Sequence, residues 1–316
     1  MAFDREKLRE KVAELASAGV FIGTSSWKYE GWLGQLYHSD RYQYRGKLAV
    51  SRFEKQCLAE YAEVFKTVCV DAAYYSFPRR EYLHGLSDQV PDDFQFGFKV
   101  TDTITTKKFP NLARFGAKAG QKNADFLNAD MFATAFLKPC EDIRSKVGVL
   151  MLEFSRFWPT DYEHGRDFLT DLDAFLGKLP PGWPYAIEMR NKNWLVPEYF
   201  ACLARHGVTH VFNSWEAMPA VSEQMALAGS VTNPDLLAAR FLLKPGRKYE
   251  DAVKNFQPYE HTQEVNEEAR KVGKKMIREG QITAKKRKTL IFVNNRLEGN
   301  ALNTIAAMVA EEQLER

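Results

Sequence analysis

Eight short β-like stretches alternate with segments of helical period along this chain, and that rhythm constrains its fold more than any other feature. They are VFIGTSS (20–26), TVCV (67–70), FQFGFKV (94–100), VGVLMLEF (147–154), YAIEMR (185–190), VTHVFNS (208–214), LAARFLLKP (237–245) and TLIFVNN (289–295). Between them, apolar residues recur about every fourth position, as at Phe53, Cys57, Tyr61 and Phe65, which is the stripe of an amphipathic helix. Strand and helix in strict alternation call for a parallel sheet with helical crossovers. Eight such units without a linker-like segment predict a single (β/α)8 TIM barrel, an α/β fold that commonly needs about 250 residues. A doubly wound open sheet is the alternative, weakened by the lack of GxGxxG after the first strand.

Two regions depart from the repeat. Leu8, Val12, Leu15 and Ala16 give residues 4–18 a helical stripe that Gly19 ends, so residues 1–19 are read as an extra helix covering the barrel bottom, and 20–316 as the barrel domain. Tyr249 to Lys288 is long, charged and helix-compatible. A further helix is expected over DMFATAFLKPCEDIRSK (130–146), and a last one over GNALNTIAAMVAEEQ (299–313).

Alternation within the strands points to a site. In a strand successive side chains face opposite ways, so Tyr185, Ile187 and Met189 share one face, and Ala186, Glu188 and Arg190 the other. FQFGFKV repeats the pattern, with Phe94, Phe96 and Phe98 opposite Gln95, Gly97 and Lys99. With the apolar faces against the helices, the charged faces look into the barrel near the strand ends, where barrel enzymes place their chemistry. The same rule turns Glu153 and Arg240 inward and adds Asp71, Asn213, Asn294 and Asn295 to one mouth. Charges removed from water cost several kcal/mol each unless paired, so a mixed-sign cluster implies pairing with one another and with a ligand. The plainer alternative is a set of interior ion pairs that fix strand register. Aromatic residues crowd the same rim: Trp27, Tyr29 and Trp32 after the first strand, Tyr74 and Tyr75 after the second, Trp194 after the fifth and Trp215 after the sixth. They suit a ring-bearing ligand, or simply loop packing.

Other chemistries find less support. Glu153 and Glu188 are a possible acid and base pair of the glycosidase kind, but neighbouring cations would keep both ionised. The six histidines show no HxH or HExxH spacing and the four cysteines, Cys57, Cys69, Cys140 and Cys202, no CxxC, so neither metal nor cofactor is expected. His210 lies in a strand and reads as structural, or as a group entering the interior. No GxSxG surrounds Ser25 or Ser26. A formal net charge of +3 permits a nucleic-acid partner without indicating one, and the basic runs at Lys107–Lys108 and Lys285–Lys288 fall at opposite barrel ends. With the thiols read as reduced, a start unlike a leader and no apolar stretch long enough to span a bilayer, the expectation is a cytoplasmic protein with no membrane partner; nothing sets its oligomeric state.

IGTSSWKYEGW, VDAAYYSFP, FQFGFKV, YAIEMRNKNW and TLIFVNNRLEGNAL, in that order, resemble the YecE-like family, catalogued as domain of unknown function 72. The resemblance runs from about Phe21 to the last helix. It implies a TIM barrel with polar residues at its C-terminal mouth, and carries over Trp27, Tyr29, Tyr75, Lys99, Glu188, Arg190, Trp194, Arg240, Asn294 and Asn295 as site residues. The chain departs from the family at Asp71-Ala72-Ala73, where an Asn-Ser-Thr-like stretch is usual. It departs again at Glu153-Phe154, in place of Leu-Pro, and at Phe241-Leu242-Leu243-Lys244, in place of His-Gly.

Together these readings predict an enzyme acting on a small polar, anionic molecule bearing a phosphate, carboxylate or sugar-like group. Lys99 and Glu188 are its candidate catalytic residues. Trp27, Tyr29, Asp71, Tyr75, Glu153, Arg190, Trp194, Asn213, Arg240, Asn294 and Asn295 are candidate ligand contacts. The alternatives are a nucleic-acid-binding or repair protein resembling endonuclease-IV-type barrels, and a non-catalytic ligand-binding protein.

Overall fold

The computed structural model describes residues 3–282 and 287–310. Its eight parallel strands are β1 Val20–Thr24, β2 Thr67–Val70, β3 Gln95–Lys99, β4 Val147–Phe154, β5 Tyr185–Met189, β6 Thr209–Ser214, β7 Leu236–Phe241 and β8 Lys288–Val293. Each pairs with the next in sequence, and β1 pairs with both β8 and β2, so the sheet closes on itself. A barrel leaves no strand edge unpaired. The shell comprises α1 Arg5–Ser17, α2 Val50–Val64, α3 Arg80–Ser87, α4 Gly165–Leu176, α5 Pro197–Arg205, α6 Val221–Ala226, α7 Tyr249–Phe256, α8 Glu267–Ile282 and α9 Ala301–Val309, besides shorter turns.

Period-2 alternation sorts the strand residues into two cores. Outward-facing Phe94, Phe96, Phe98, Ile187, Met189, Ala239 and Phe241 pack in the layer between strands and helices. Inward-facing Cys69, Val149, Met151, Ala186, Val211, Ala238, Leu290 and Phe292 fill the barrel. Gly97 is required there: a Cβ at this position would lie 2.5 Å from Cζ of Phe292, so its missing side chain admits that ring. Gly23 serves closure, since a Cβ on it would come within 2.1 Å of the carbonyl oxygen of Thr67 on the neighbouring strand. The lower interior ends in a polar pair, with Lys288 Nζ donating to Gln95 Oε1 at 2.8 Å.

The stripe Leu8, Val12 and Leu15 of α1 joins the layer between strands and shell, packing on β1, α2 and α9. Two expectations change in detail. The single helix expected over 130–146 breaks into helical turns with a π-helical stretch at Phe132–Leu137 and a 3-10 stretch at Glu141–Lys146. Pro139 lies between them; without an N–H it cannot continue a regular helical ladder, which gives the break a local cause. The charged segment from Tyr249 forms two helices, α7 and α8, while the expected end of the last helix beyond residue 310 and Lys285–Lys286 of the basic run lie outside the described residues. No helix among the described residues is long and apolar enough to cross a membrane.

Candidate functional site

One step above the apolar filling, the inward positions turn polar. Asp71 follows β2, Lys99 ends β3, Glu153 lies near the end of β4, Glu188 on β5 with Arg190 just beyond it, Asn213 on β6 and Arg240 on β7. All but Arg190, which stands two residues above Glu188, sit two residues above an apolar or small inward side chain, as Lys99 does above Gly97, Glu153 above Met151, Glu188 above Ala186 and Arg240 above Ala238. The strand period alone therefore brings these side chains together at the C-terminal mouth.

Six of them form one ionic network. Glu153 Oε2 receives Lys99 Nζ at 2.9 Å, Arg190 Nη2 at 2.7 Å and Arg240 Nη1 at 2.9 Å. Glu188 Oε1 accepts from Arg190 Nε at 3.0 Å and Nη2 at 2.9 Å, and its Oε2 from Arg240 Nη1 at 2.6 Å. Arg240 Nη2 reaches Asp71 Oδ1 at 3.4 Å. Three carboxylates face three cations, so the network is balanced without a ligand. It is also graded in depth: the Glu188 and Arg240 side chains are 0% and 2% exposed, those of Lys99 and Arg190 10%, and that of Asp71 34%. A molecule arriving from solvent meets Asp71, Arg190 and Lys99 first, while Glu188 holds Arg190, Arg240 holds Asp71 and Glu153 holds Lys99.

Charge states follow from this pairing. Burial alone would raise the Glu153 carboxyl pKa, but the charges of Arg190, Lys99 and Arg240 outweigh it and hold the group well below the carboxylate range. Burial would lower Lys99 and Arg240, yet the facing carboxylates, Glu153 first for Lys99 and Glu188 first for Arg240, push both upward. All three stay charged at neutral pH, a poor arrangement for moving protons and a good one for holding fixed charge. Buried Ser25 Oγ, Asn213 Oδ1 and Arg240 Nε of this layer find no hydrogen-bond partner among the described residues, so it has unspent polar capacity.

The aromatic rim is only partly at the site. The Tyr74 ring lies 3.8 Å from Lys99 Nζ and the Trp215 ring 3.9 Å from the Arg190 guanidinium, so these two cover the outer cations of the network. Tyr29 packs against Trp32 and Tyr259, and burial raises its hydroxyl pKa, with Arg296 and Asp71 as nearby charges. Trp27 is buried. Tyr75, 63% exposed, stands outside the network beside Arg114. Trp194 is drawn away: it stacks on Phe157 and Phe168 at 5.4 and 5.2 Å, in an aromatic cluster between the β4 loop and α4. Asn294 and Asn295 act on the backbone, their side-chain oxygens accepting from the N–H groups of Arg296 at 3.0 Å and Ala301 at 2.7 Å, which shapes the turn into α9. Asn213 donates to the carbonyl of Met189 at 3.1 Å, tying β6 to the end of β5.

His210 faces outward, between Tyr199, Phe200 and Phe212, and does not enter the interior. Of the basic runs, Lys107 lies 3.1 Å from the Tyr162 ring centre and Lys288 reaches into the lower barrel. One open cleft, of about 630 Å³, runs along Tyr44–Arg52, and another, of about 560 Å³, along Ala72–Tyr82 begins next to Asp71; the charged residues of the network line neither.

A family model described as "Protein of unknown function DUF72" matches residues 21–316. A crystal structure of a DUF72 family protein from Enterococcus faecalis V583 superposes with a TM-score of 0.60 at 19% identity, covering 94% of this chain and all of that one. One from Thermotoga maritima MSB8 does so with a TM-score of 0.57 at 19% identity, covering 92% and 97%. These likenesses carry the fold. No curated protein matches the sequence.

Proposed function

The chain belongs to the DUF72 family, and from that premise we propose that it is an enzyme acting on a small polar molecule whose carboxylate or phosphate is held at the barrel mouth by Lys99 and Arg190, with Arg240 behind them. The observation that carries this reading is the convergence of three cations on one oxygen of Glu153, all within 2.9 Å. Such a convergence is an anion cradle in which the chain's own carboxylate sits. A ligand oxyanion at the rim would share Lys99 and Arg190 with Glu153 and place its remaining atoms toward Asp71, the most accessible of the three acids.

The protonation states favour electrostatic work. Lys99 and Arg190, fixed by salt bridges before a ligand arrives, would stabilise negative charge that builds up on the ligand's oxygen during reaction. Glu188, sealed beneath Arg190, acts in this reading as a positioning residue rather than as the base, because it orients the guanidinium through its Nε and Nη2 atoms. The same fixed charges suit a protein that binds without turnover, which a substrate screen separates from the leading reading.

Isothermal titration with inorganic phosphate and with succinate tests the cradle. The wild-type chain is expected to bind at least one of them, and Lys99→Met to weaken that binding by about tenfold or more, the loss of one charge-assisted contact of about 1.5–3 kcal/mol. Equal affinity in wild type and variant, or binding of neither anion, would contradict the assignment.

A further inference from the structure

Away from the mouth, two shell helices bring together a set of donors that spacing in the sequence does not advertise. Cys202 and His206 stand four residues apart, so they share one face at the end of α5, and Asp173 of α4 packs opposite them. The Cys202 Sγ, one His206 ring nitrogen and one Asp173 carboxylate oxygen offer ligand atoms that all lie within 4.8 Å of one another. His206 Nε2 is 2.7 Å and Cys202 Sγ 3.7 Å from the same oxygen, Asp173 Oδ1.

We propose that Asp173, Cys202 and His206 form a divalent-metal site, of the kind zinc occupies, that clips α4 to α5. The donor set is one thiolate, one imidazole and one carboxylate, which suits a borderline-soft ion and leaves a fourth tetrahedral position for water. Its dimensions are close to those needed. Zinc bonds of about 2.3 Å to sulfur and about 2.0 Å to nitrogen or oxygen put tetrahedral S···O neighbours about 3.5 Å and N···O neighbours about 3.3 Å apart. The observed S···O distance already fits, and the N···O distance has to open by about 0.6 Å, which amounts to replacing the Asp173–His206 hydrogen bond by the metal.

Binding releases the Cys202 thiol proton to solvent and moves the His206 proton from Nε2 to Nδ1, so the site gains one metal for one proton. Cys202 is 2% exposed, whereas the side chains of His206 and Asp173 are 20% and 41% exposed, which gives an ion a path from the surface. Arg205 opposes binding, its Nη2 resting 3.3 Å from Asp173 Oδ1, but that side chain is 63% exposed and free to turn into solvent.

Cobalt(II) titration of the full, reduced chain is the test, read as absorbance. A sulfur-to-cobalt charge-transfer band is expected to saturate at one equivalent and to bleach when zinc is added. Cys202→Ser should abolish the band, and His206→Gln or the more exposed Asp173→Asn should weaken cobalt binding at least about tenfold. No band in the wild-type chain, or a band that persists in Cys202→Ser, overturns the site. Should the serine variant lose its fold, the Asp173→Asn titration decides: unchanged cobalt affinity there also overturns it.

Discussion

Arg240→Met is expected to lower the free energy of unfolding by about 3–5 kcal/mol, the cost typical of breaking a buried ionic network by removing one partner. Arg240 is 2% exposed and touches all three acids of the mouth, at 2.9 Å from Glu153, 2.6 Å from Glu188 and 3.4 Å from Asp71. Methionine fills much of the same volume, so the loss is one of charge more than of packing. Without the guanidinium, three carboxylates face only Lys99 and Arg190, and Glu188, fully buried, keeps Arg190 alone. Removing a charge of each sign should hurt less: Arg240→Met combined with Glu188→Gln restores the balance and is expected to recover part of the loss. Denaturant unfolding at neutral pH measures both, and a drop below about 1 kcal/mol for the single variant, the scale of an exposed ion pair, would mean the network is far wetter than its burial implies.

Acid should weaken the fold through His210 before it reaches the mouth. Burial pushes this imidazole down to about 3 from an ordinary value of about 6.5, with Tyr199, Phe200 and Phe212 around it. Its Nδ1 meets the Tyr199 hydroxyl at 3.2 Å, and buried Nε2 finds no partner among the described residues. Between those two values the unfolded chain takes a proton that the folded chain refuses. The neutral side chain's stability is thus fully present above pH 6.5 and is lost as pH falls toward 3. At about 1.4 kcal/mol per pH unit, roughly 3 kcal/mol disappears by pH 4. His210→Leu is expected to flatten that limb in a series of unfolding curves from pH 7 to pH 4; an unchanged slope would assign the acid sensitivity elsewhere. The depressed Glu153 acts in a lower window that overlaps only the end of this one, because its contribution is fully present above the ordinary carboxylate value of about 4.3 and fades as pH falls below it.

What could be read in the sequence was what one strand determines for itself. Alternation turned Lys99, Glu153, Glu188 and Arg240 to the interior because a period of two leaves each residue only two faces, and the apolar face of each strand was plain. The repeat of such strands with helices made closure into a barrel the simplest way to bury both sets. Loop residues had no comparable rule. Trp194 is only four residues past Arg190, yet it leaves the mouth because Phe157, Tyr162 and Phe168 from other elements offer it stacking partners. Trp215 stays because Arg190 lies beneath it. Asn294 and Asn295 share the strand-end position of the charged residues, but the tight turn into α9 takes up their oxygens. The depth ordering that puts Glu188 behind Arg190, and the meeting of Asp173 with Cys202 and His206, depend on contacts between distant segments that no local pattern encodes.

If Glu153 fills an anion cradle at the mouth, as proposed above, a variant that empties it should bind anions better. Glu153→Gln removes the competing charge and leaves three cations against two carboxylates. Calorimetric titration of that variant with inorganic phosphate and succinate is expected to give at least one anion an affinity about tenfold above wild type, a gain of about 1.4 kcal/mol. An affinity that stays level or falls, in a variant that remains folded, would contradict the claim and leave the network as a purely structural brace.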